Sequence, residues 1–373
     1  MSNIFKLTAY AFTGIGLVFF ILAVILVFYS AIDPHSPNLQ LTYPYQSLSI
    51  PFSIVGLVFL YMGTFRKTSA KLAANITSLI LPKVATERFF AFWEKKGYHI
   101  TPVHFYEPIP DTRTLKDELW SSKSELVGID MRRQEQLELL SQTFSRYKNE
   151  FNYPVNKTAV PHEYYLENGF FPSIDAEVLH AMIRHFKPKR IIEVGSGFST
   201  YLAAKVCLLN TKENGSKVEY CIIDPFPNDT IKKGVPGVST LIQKPVEQVG
   251  MDLFLQLDEN DILFIDSSHV LRIGGDVNYE FLEIIPRMKK GVIIHVHDIF
   301  LPYEYPKDFI FENHKFWSEQ YLLQAFLAFN CSFEVLWAGY YMHQNFPEEC
   351  RAVFPSYNKE TKGPASFWIR KKK

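Results

Sequence analysis

Over the C-terminal half of the chain, short apolar runs alternate with stretches of helical period. The runs are "RIIEV" (190–194), "VEYCII" (218–223), "STLI" (239–242), "DILFI" (261–265) and "GVIIHV" (291–296), followed by "SFEVLW" (332–337) and "SFWIR" (366–370). Each has strand length and is rich in branched or aromatic residues, and helix candidates at about 198–209, 246–257, 276–287 and 314–329 lie between them. Strands separated by crossover helices predict a parallel sheet covered on both faces, here an α/β, doubly wound arrangement of seven strands. Ligands of such sheets bind beyond the carboxyl ends of the strands, which selects the residues to read for chemistry.

The first 70 residues follow another pattern. Residues 9–30, "AYAFTGIGLVFFILAVILVFYS", form 22 positions without a charge, enough at about 1.5 Å per residue to cross a hydrocarbon layer of roughly 30 Å. A second run covers 47–65, and Asp33 is the only formal charge between Lys6 and Arg66. The pattern predicts a two-helix transmembrane hairpin within residues 1–67. Lys6 before it and Arg66, Lys67 and Lys71 after it put both ends in the cytoplasm, with the remaining chain at the inner face of the cytoplasmic membrane. A cleaved signal peptide fits less well, because the first run exceeds an apolar core of about 7–15 residues. Pro51 with Ser47, Ser49 and Ser53 leaves open a core or interfacial helix for the second run.

Residues 68–159 read as juxtamembrane helices and a lid segment. Leu72, Ile76, Leu79 and Ile80 share one side, and an aromatic cluster of Phe89, Phe90, Phe92 and Trp93 follows. A proline-rich stretch over 99–120 predicts an ordered loop, and 130–150 returns to helix. Residues 160–373 form the expected main domain.

Lys plus Arg and Asp plus Glu both number 39, so the formal net charge is zero and nothing favours nucleic acid as a partner. The cysteines Cys207, Cys221, Cys331 and Cys350 are far apart and contain no CxxC, which disfavours a zinc site or a disulfide framework and suits a reducing compartment.

The first strand runs into "EVGSGFST". Gly195 and Gly197 permit a tight turn and close approach of a nucleotide-like ligand at the start of the next helix, with Ser196 between them. The third glycine of the dinucleotide fingerprint is missing and Glu193 precedes the turn, which favours an adenosyl ligand over NAD. The second strand ends in Asp224, placed to accept hydrogen bonds from ribose hydroxyls. "FIDSSHV" brings Asp266 to the end of the fourth strand and His269 three residues further on. His269 is the preferred proton acceptor, because an imidazole titrates near neutrality. The fifth strand ends in His295, His297 and Asp298. His295, one residue deeper, is expected to be a hydrogen-bonded core histidine.

These stretches resemble the class I S-adenosylmethionine-dependent methyltransferases. "IIEVGSGFST" looks like their motif I, "CIIDPFP" like the ribose acid, "DILFIDSSHV" like motif IV, and "SFEVLW" with "SFWIR" like their closing antiparallel strand pair. More narrowly, "HFYEPIPDTRTL", "NGFFPSIDAEVL", "FIDSSH" and "HDIFLPYEYP" resemble a bacterial branch of uncharacterised, methyltransferase domain 24-like proteins often encoded among sugar and glycan genes. The resemblance implies a Rossmann-like sheet with an antiparallel last strand and methyl transfer from S-adenosylmethionine. It implies that Glu193, Gly195, Ser196, Gly197, Asp224 and Asp266 hold that cofactor, with Val246 beside the adenine. Asp111 and Arg113, together with Asn168, Phe170, Phe171, Asp175 and Glu177, would cover the cleft.

A second resemblance is to the metal-assisted sugar O-methyltransferases of macrolide pathways, which have an acid ending strand four, a histidine base three residues on, and two adjacent acids on strand five that bind magnesium. Asp266, His269 and Asp298 match, and His297 stands in place of the other acid. This implies catalytic roles for His269, Asp266 and Asp298, and a possible divalent ion, Mg or Mn, on Asp266, His297 and Asp298; the imidazole ligand shifts preference away from Mg. The expected function is O-methylation of a sugar, glycan or lipid-linked saccharide. A membrane-tethered scaffold that keeps the fold without catalysis, and an iron-dependent hydroxylase using His295, His297 and Asp298, are the alternatives.

Overall fold

The computed structural model of the protein describes residues 87–215, 217–358 and 363–373. Both apolar runs expected to span a membrane, 9–30 and 47–65, lie outside the described residues. Among the described residues no helix is long and apolar enough to cross a membrane. The chain divides into two compact units, residues 1–110 and 111–373. The described part of the first holds one helix, Glu87–Lys95, with Phe90 and Phe92 exposed on it, and then a loop without regular structure. Residues 111–159 belong to the second unit.

Seven strands build the sheet of the second unit: β1 (Arg190–Val194), β2 (Glu219–Ile223), β3 (Thr240–Ile242), β4 (Ile262–Ile265), β5 (Ile293–Val296), β6 (Phe333–Ala338) and β7 (Phe367–Lys371). Their order is β3-β2-β1-β4-β5-β7-β6. The first five are parallel, and β7 runs antiparallel between β5 and β6. The expected mostly parallel, Rossmann-like sheet of seven strands is present.

Side-chain alternation along the strands splits the core in two. Ile191, Phe264 and Ile293 face one layer with Leu179, Met182, Leu202 and Val206. These four come from helices α1 (Asp175–Phe186) and α2 (Phe198–Asn214). Ile192, Val194, Leu263, Ile265, Ile294 and Val296 face the other layer with Val277, Phe281, Ile284 and Leu323. That layer is supplied by α3, a continuous helical stretch over 276–287 with a π-helical segment at Glu280–Ile284, and by α4 (Glu319–Leu327). Phe264 is 2% exposed with its ring centroid 3.8 Å from that of His295, so truncating it to Ala would cost roughly 3–5 kcal/mol.

The sequence reading differs from the structure at several elements. The 246–257 candidate is two short pieces, Val246–Gln248 and Met251–Phe254, divided at Gly250. The 130–150 helix changes character, from α-helix at Arg133–Glu138 to π-helical and 3-10 turns up to Glu150. Helix α1 was read only as part of a cleft cover. Its first turn starts after Ile174 at φ +67°, where Glu177 accepts the Ile174 N–H at 2.7 Å.

Register sets the level of the site. Ile223 pairs with Val194, Val194 with Ile265, and Ile265 with Val296. The next residues on the four strands, Asp224, Gly195, Asp266 and His297, are therefore the first beyond the sheet, in one row. The ladder extends one step past the strands, with the N–H groups of Gly195, Asp266 and His297 donating to Ile223, Val194 and Ile265 at 2.9, 2.9 and 3.0 Å.

Candidate active site

Two turns at the end of this row are locked together. Gly195 has φ +84°, in the left-handed region, and a Cβ there would lie 1.9 Å from the main-chain oxygen of Asp266. Only glycine fits that position. Gly197 is extended, and a Cβ there would meet nothing within 4 Å, leaving open space at the start of α2. Its N–H donates to Thr200 Oγ1 at 3.0 Å. Ser196 Oγ donates to Asp224, whose other carboxylate oxygen accepts the Phe226 N–H at 2.7 Å. The glycine turn and the half-buried Asp224 thus border one space, a cradle suited to an adenosyl group.

Two expected cofactor residues are placed otherwise. Glu193 is 1% exposed and accepts hydroxyl hydrogen bonds from Ser199, Thr200 and Tyr220 at 2.6, 2.7 and 2.5 Å. Its carboxylate braces the first turn of α2 from inside the core and does not face a ligand. Burial pushes its carboxyl up to about 7, against those three hydrogen bonds. Val246 is also buried, in the cluster that contains Ile223 and Val249.

Beside the cradle lies a cavity of about 530 Å³ lined by Asp266, His269, His297 and Asp298 at its inner end. The "DSSH" turn that carries His269 is built by α3: Ser268 donates through N–H and Oγ to Asp276 at 2.9 and 2.6 Å, and Ser267 Oγ donates to Glu280 at 3.0 Å. His269 has φ +61°. Its carbonyl accepts the N–H groups of Ser318 and Glu319, two of the otherwise unsatisfied donors at the start of α4. Its Nδ1 lies 2.9 Å from Glu319 Oε2 and its ring centroid 4.3 Å from that of Trp317.

The other nitrogen, Nε2, faces Asp266 Oδ1 at 3.3 Å and Asp298 Oδ2 at 3.4 Å. His297 Nδ1 approaches the same two oxygens at 3.6 and 3.7 Å. Burial disfavours charge on either ring, yet the surrounding carboxylates outweigh it. Asp266, Glu319 and Asp298 push the His269 imidazole well above its usual range, and Asp266, Asp298 and Asp175 do so for His297. Burial likewise raises the Asp266 carboxyl, but His297 and His269 overcome it and hold the group far below the carboxylate range. A compact anionic pair facing two imidazoles results.

Such a pair fits a divalent cation. Ligand atoms of Asp266, His269 and Asp298 all lie within 4.8 Å of one another, a convergence of hard oxygens and one imidazole that suits Mn or Mg. The anticipated set used His297 in place of His269; both rings address the same carboxylate pair, with His269 the nearer.

His295 is separate. It is fully buried, its Nε2 lies 3.0 Å from Ser366 Oγ, and it is packed against Phe264 and Trp368. Burial, with His297 nearby, pushes its imidazole well below the usual range, so it is neutral. It is not among the cavity residues, and among the described residues the group whose ligand atoms converge is Asp266, His269 and Asp298, without His295.

The cover residues divide as well. Asn168 shapes its own loop, accepting the N–H groups of Phe170 and Phe171 and donating to the carbonyls of Tyr165 and Phe171. Phe170 is 78% exposed, stacks on Phe198 and lines the cavity. Phe171 is buried against His297. Asp175, at the start of α1, accepts the Ala365 and Ser366 N–H groups and comes within 3.4 Å of His297 Nε2. Glu177 caps the same helix. Asp111 and Arg113 pair with each other, the arginine side chain largely exposed, and neither lines the cavity.

Glu319, Trp317 and Lys315 were not read from the sequence as site residues. The trace they leave there is an aromatic and two charged residues at the front of an otherwise apolar helical stretch, "KFWSEQYLLQAFL" (315–327).

A glycine cradle ending β1, an acid ending β2 and a polar cluster beyond β4 and β5 define a sheet-end site of the methyltransferase kind. Residues 192–299 match the sequence model of a methyltransferase domain. A protein of Archaeoglobus fulgidus described as uncharacterized is 36% identical over 174 residues, covering 44% of this chain and 77% of that protein. The chain belongs to this methyltransferase family, and the domain implies methylation with S-adenosylmethionine as donor.

Proposed function

We propose that the protein is a class I methyltransferase that methylates a hydroxyl of a sugar, glycan or lipid-linked saccharide at the cytoplasmic face of the membrane. The observation that carries this reading is the position of His269 Nε2, in a cavity next to the Gly195 turn and 3.3–3.4 Å from two carboxylates.

A hydroxyl acceptor needs alignment and a place for its proton. When bound, S-adenosylmethionine supplies an electrophilic methyl group on a sulfonium. Asp224 would accept hydrogen bonds from its ribose hydroxyls, and the open space at Gly197 would take the adenosyl group. A divalent ion, Mn or Mg, held by Asp266 and Asp298 with His297 would polarise the acceptor oxygen. With the charge of Asp266 and Asp298 answered by such an ion, the pull that keeps the His269 ring protonated would be relieved and Nε2 would be able to take the acceptor proton, while Glu319 keeps the Nδ1 proton in place and Trp317 packs against the ring. The acceptor would thus lose its proton to His269 as its oxygen gains the methyl group, the S–CH3 bond of the sulfonium breaking to leave S-adenosylhomocysteine.

The membrane part of the proposal rests on the two uncharged runs, 9–30 and 47–65, and on the basic residues that flank them. Anchoring would keep the cavity beside a membrane-bound acceptor.

Calorimetry of the full chain with S-adenosylmethionine tests the core of the reading: no heat of binding at millimolar ligand would remove it. His269→Ala should abolish turnover and leave donor binding intact. Fractionation of cells expressing the chain, with extraction by carbonate and by detergent, tests the anchor. Recovery in the carbonate supernatant would refute it.

A further inference from the structure

The cavity has two unlike ends. The inner end is acidic. The outer end comes from the excursion between β5 and α4 and presents Phe309, Asn313, Lys315 and Trp317. Among the described residues, Lys315 is the only lysine or arginine that lines the cavity, alongside Asp175, Asp266 and Asp298.

Its surroundings are built. The Lys315 N–H donates to the Phe309 carbonyl at 2.8 Å. Its ammonium lies 4.7 Å from the centroid of the Phe309 ring and 4.4 Å from that of Trp317. Among the described residues no carboxylate pairs with it. Lys307, on the same excursion, shows the other arrangement: it also sits near aromatic rings, but Asp117 is 2.5 Å away. Aromatic faces hold a cation in place while leaving its N–H donors free, whereas a carboxylate would consume its charge. Trp317 is shared, since it lies against Lys315 and against His269. The proton acceptor and the cation thus both pack against the same indole, at 4.3 and 4.4 Å from its centroid.

Resting on the sugar O-methyltransferase reading, we propose that Lys315, framed by Phe309 and Trp317, is an anion subsite, and that the acceptor is a sugar carrying a carboxylate or phosphate group. The ring packs against Trp317, the anionic substituent meets the Lys315 ammonium, and a hydroxyl across the ring reaches His269 Nε2. A neutral sugar would leave the cation unanswered. It would also lack the group that fixes which hydroxyl faces the base.

The test uses the full chain in detergent, saturated with S-adenosylhomocysteine, and three probes: methyl glucuronide, glucose 1-phosphate and methyl glucoside. Binding is read by ligand-observed NMR titration. At least one anionic probe should bind about tenfold or more tightly than the neutral one. Lys315→Met keeps an unbranched stem over the two rings and should erase that preference while S-adenosylmethionine affinity stays unchanged. Preference for glucuronide would identify a carboxylate acceptor, and preference for the phosphate a phosphorylated one. Equal or absent binding of all three probes, or a preference that survives Lys315→Met, overturns the subsite. So does a matching loss of donor affinity in Lys315→Met, which would assign the lysine to the donor. Failure of the unaltered chain to bind S-adenosylmethionine would instead count against the methyltransferase reading.

Discussion

Nδ1 of His269 is 2.9 Å from Oε2 of Glu319, a carboxylate 50 residues further along the chain and 1% exposed. An ionised carboxylate only accepts, so the ring donates from Nδ1 and presents Nε2 to the cavity. Glu319→Gln can offer an amide N–H to Nδ1 and reverse the tautomer. The expected result is a loss of turnover on the order of 10²-fold with unchanged donor affinity. Nitrogen-15 NMR of labelled histidines gives a readout independent of the acceptor. An unmoved His269 signal would show that Glu319 does not set the tautomer.

The glycine turn makes a paired prediction. Gly195→Ala forces a Cβ to within 1.9 Å of the Asp266 carbonyl oxygen at φ +84°, and should cost roughly 3 kcal/mol or more of stability. Gly197→Ala meets no protein atom within 4 Å. It should leave the urea midpoint nearly unchanged and weaken S-adenosylmethionine by about tenfold or more, because the new methyl group enters the cradle. Equal donor affinity in Gly197→Ala and the parent would place the ligand elsewhere.

Metal binding can be measured without turnover. Titration of the metal-stripped chain with Mn²⁺, followed by loss of the free-ion electron paramagnetic resonance signal, should show one site. Asp298→Asn should weaken it by about tenfold or more, since one of two hard anionic ligands is lost. His297→Asn and His269→Asn then decide which imidazole completes the site. Unchanged Mn²⁺ affinity in Asp298→Asn would dissociate the carboxylate pair from any metal role.

Glu193 predicts a pH effect on stability. Its carboxyl titrates at about 7 in the folded chain, raised by burial from an ordinary 4.5. Below pH 4.5 both states are protonated and the contribution is fully present. Between pH 4.5 and 7 the unfolded chain ionises first, so stability falls as pH rises, by roughly 3 kcal/mol in all. Above 7 no further change comes from this group. Urea midpoints at several pH values should show that slope, and Glu193→Gln should flatten it. The same slope in the variant would mean other groups cause it.

Much of this arrangement was legible in the residues. Five parallel strands could be placed because each is a short apolar run, and the acids and imidazoles that interrupt those runs mark where the sheet ends. Asp224, Asp266, His297 and Asp298 were found on that signal. Glu193 carries the same signal with another meaning, since it sits inside the strand and meets hydroxyls from its own helix and from Tyr220. Sequence spacing does not separate a carboxylate facing a ligand from one facing Thr200. Glu319, Trp317 and Lys315 were not legible, because β4 and α4 meet only through the packed fold and no local periodicity links position 269 to position 319. Helix α1 was hidden by the prolines and aromatics of the loop before it.

Asp298 stands at φ +56°, a conformation glycine adopts far more readily. The position is occupied by a group the backbone would not choose for itself, so conformational preference and charge pull in opposite directions there. Asp298→Gly would relax the backbone but strip His269 and His297 of a carboxylate they face at 3.4 and 3.7 Å, so the turn is held by those charges and not by its own preference. Asp298→Asn keeps the shape of the side chain and drops its charge, and should lower the melting temperature of the metal-free chain; an unchanged melting temperature would show that the two imidazoles do not depend on that carboxylate.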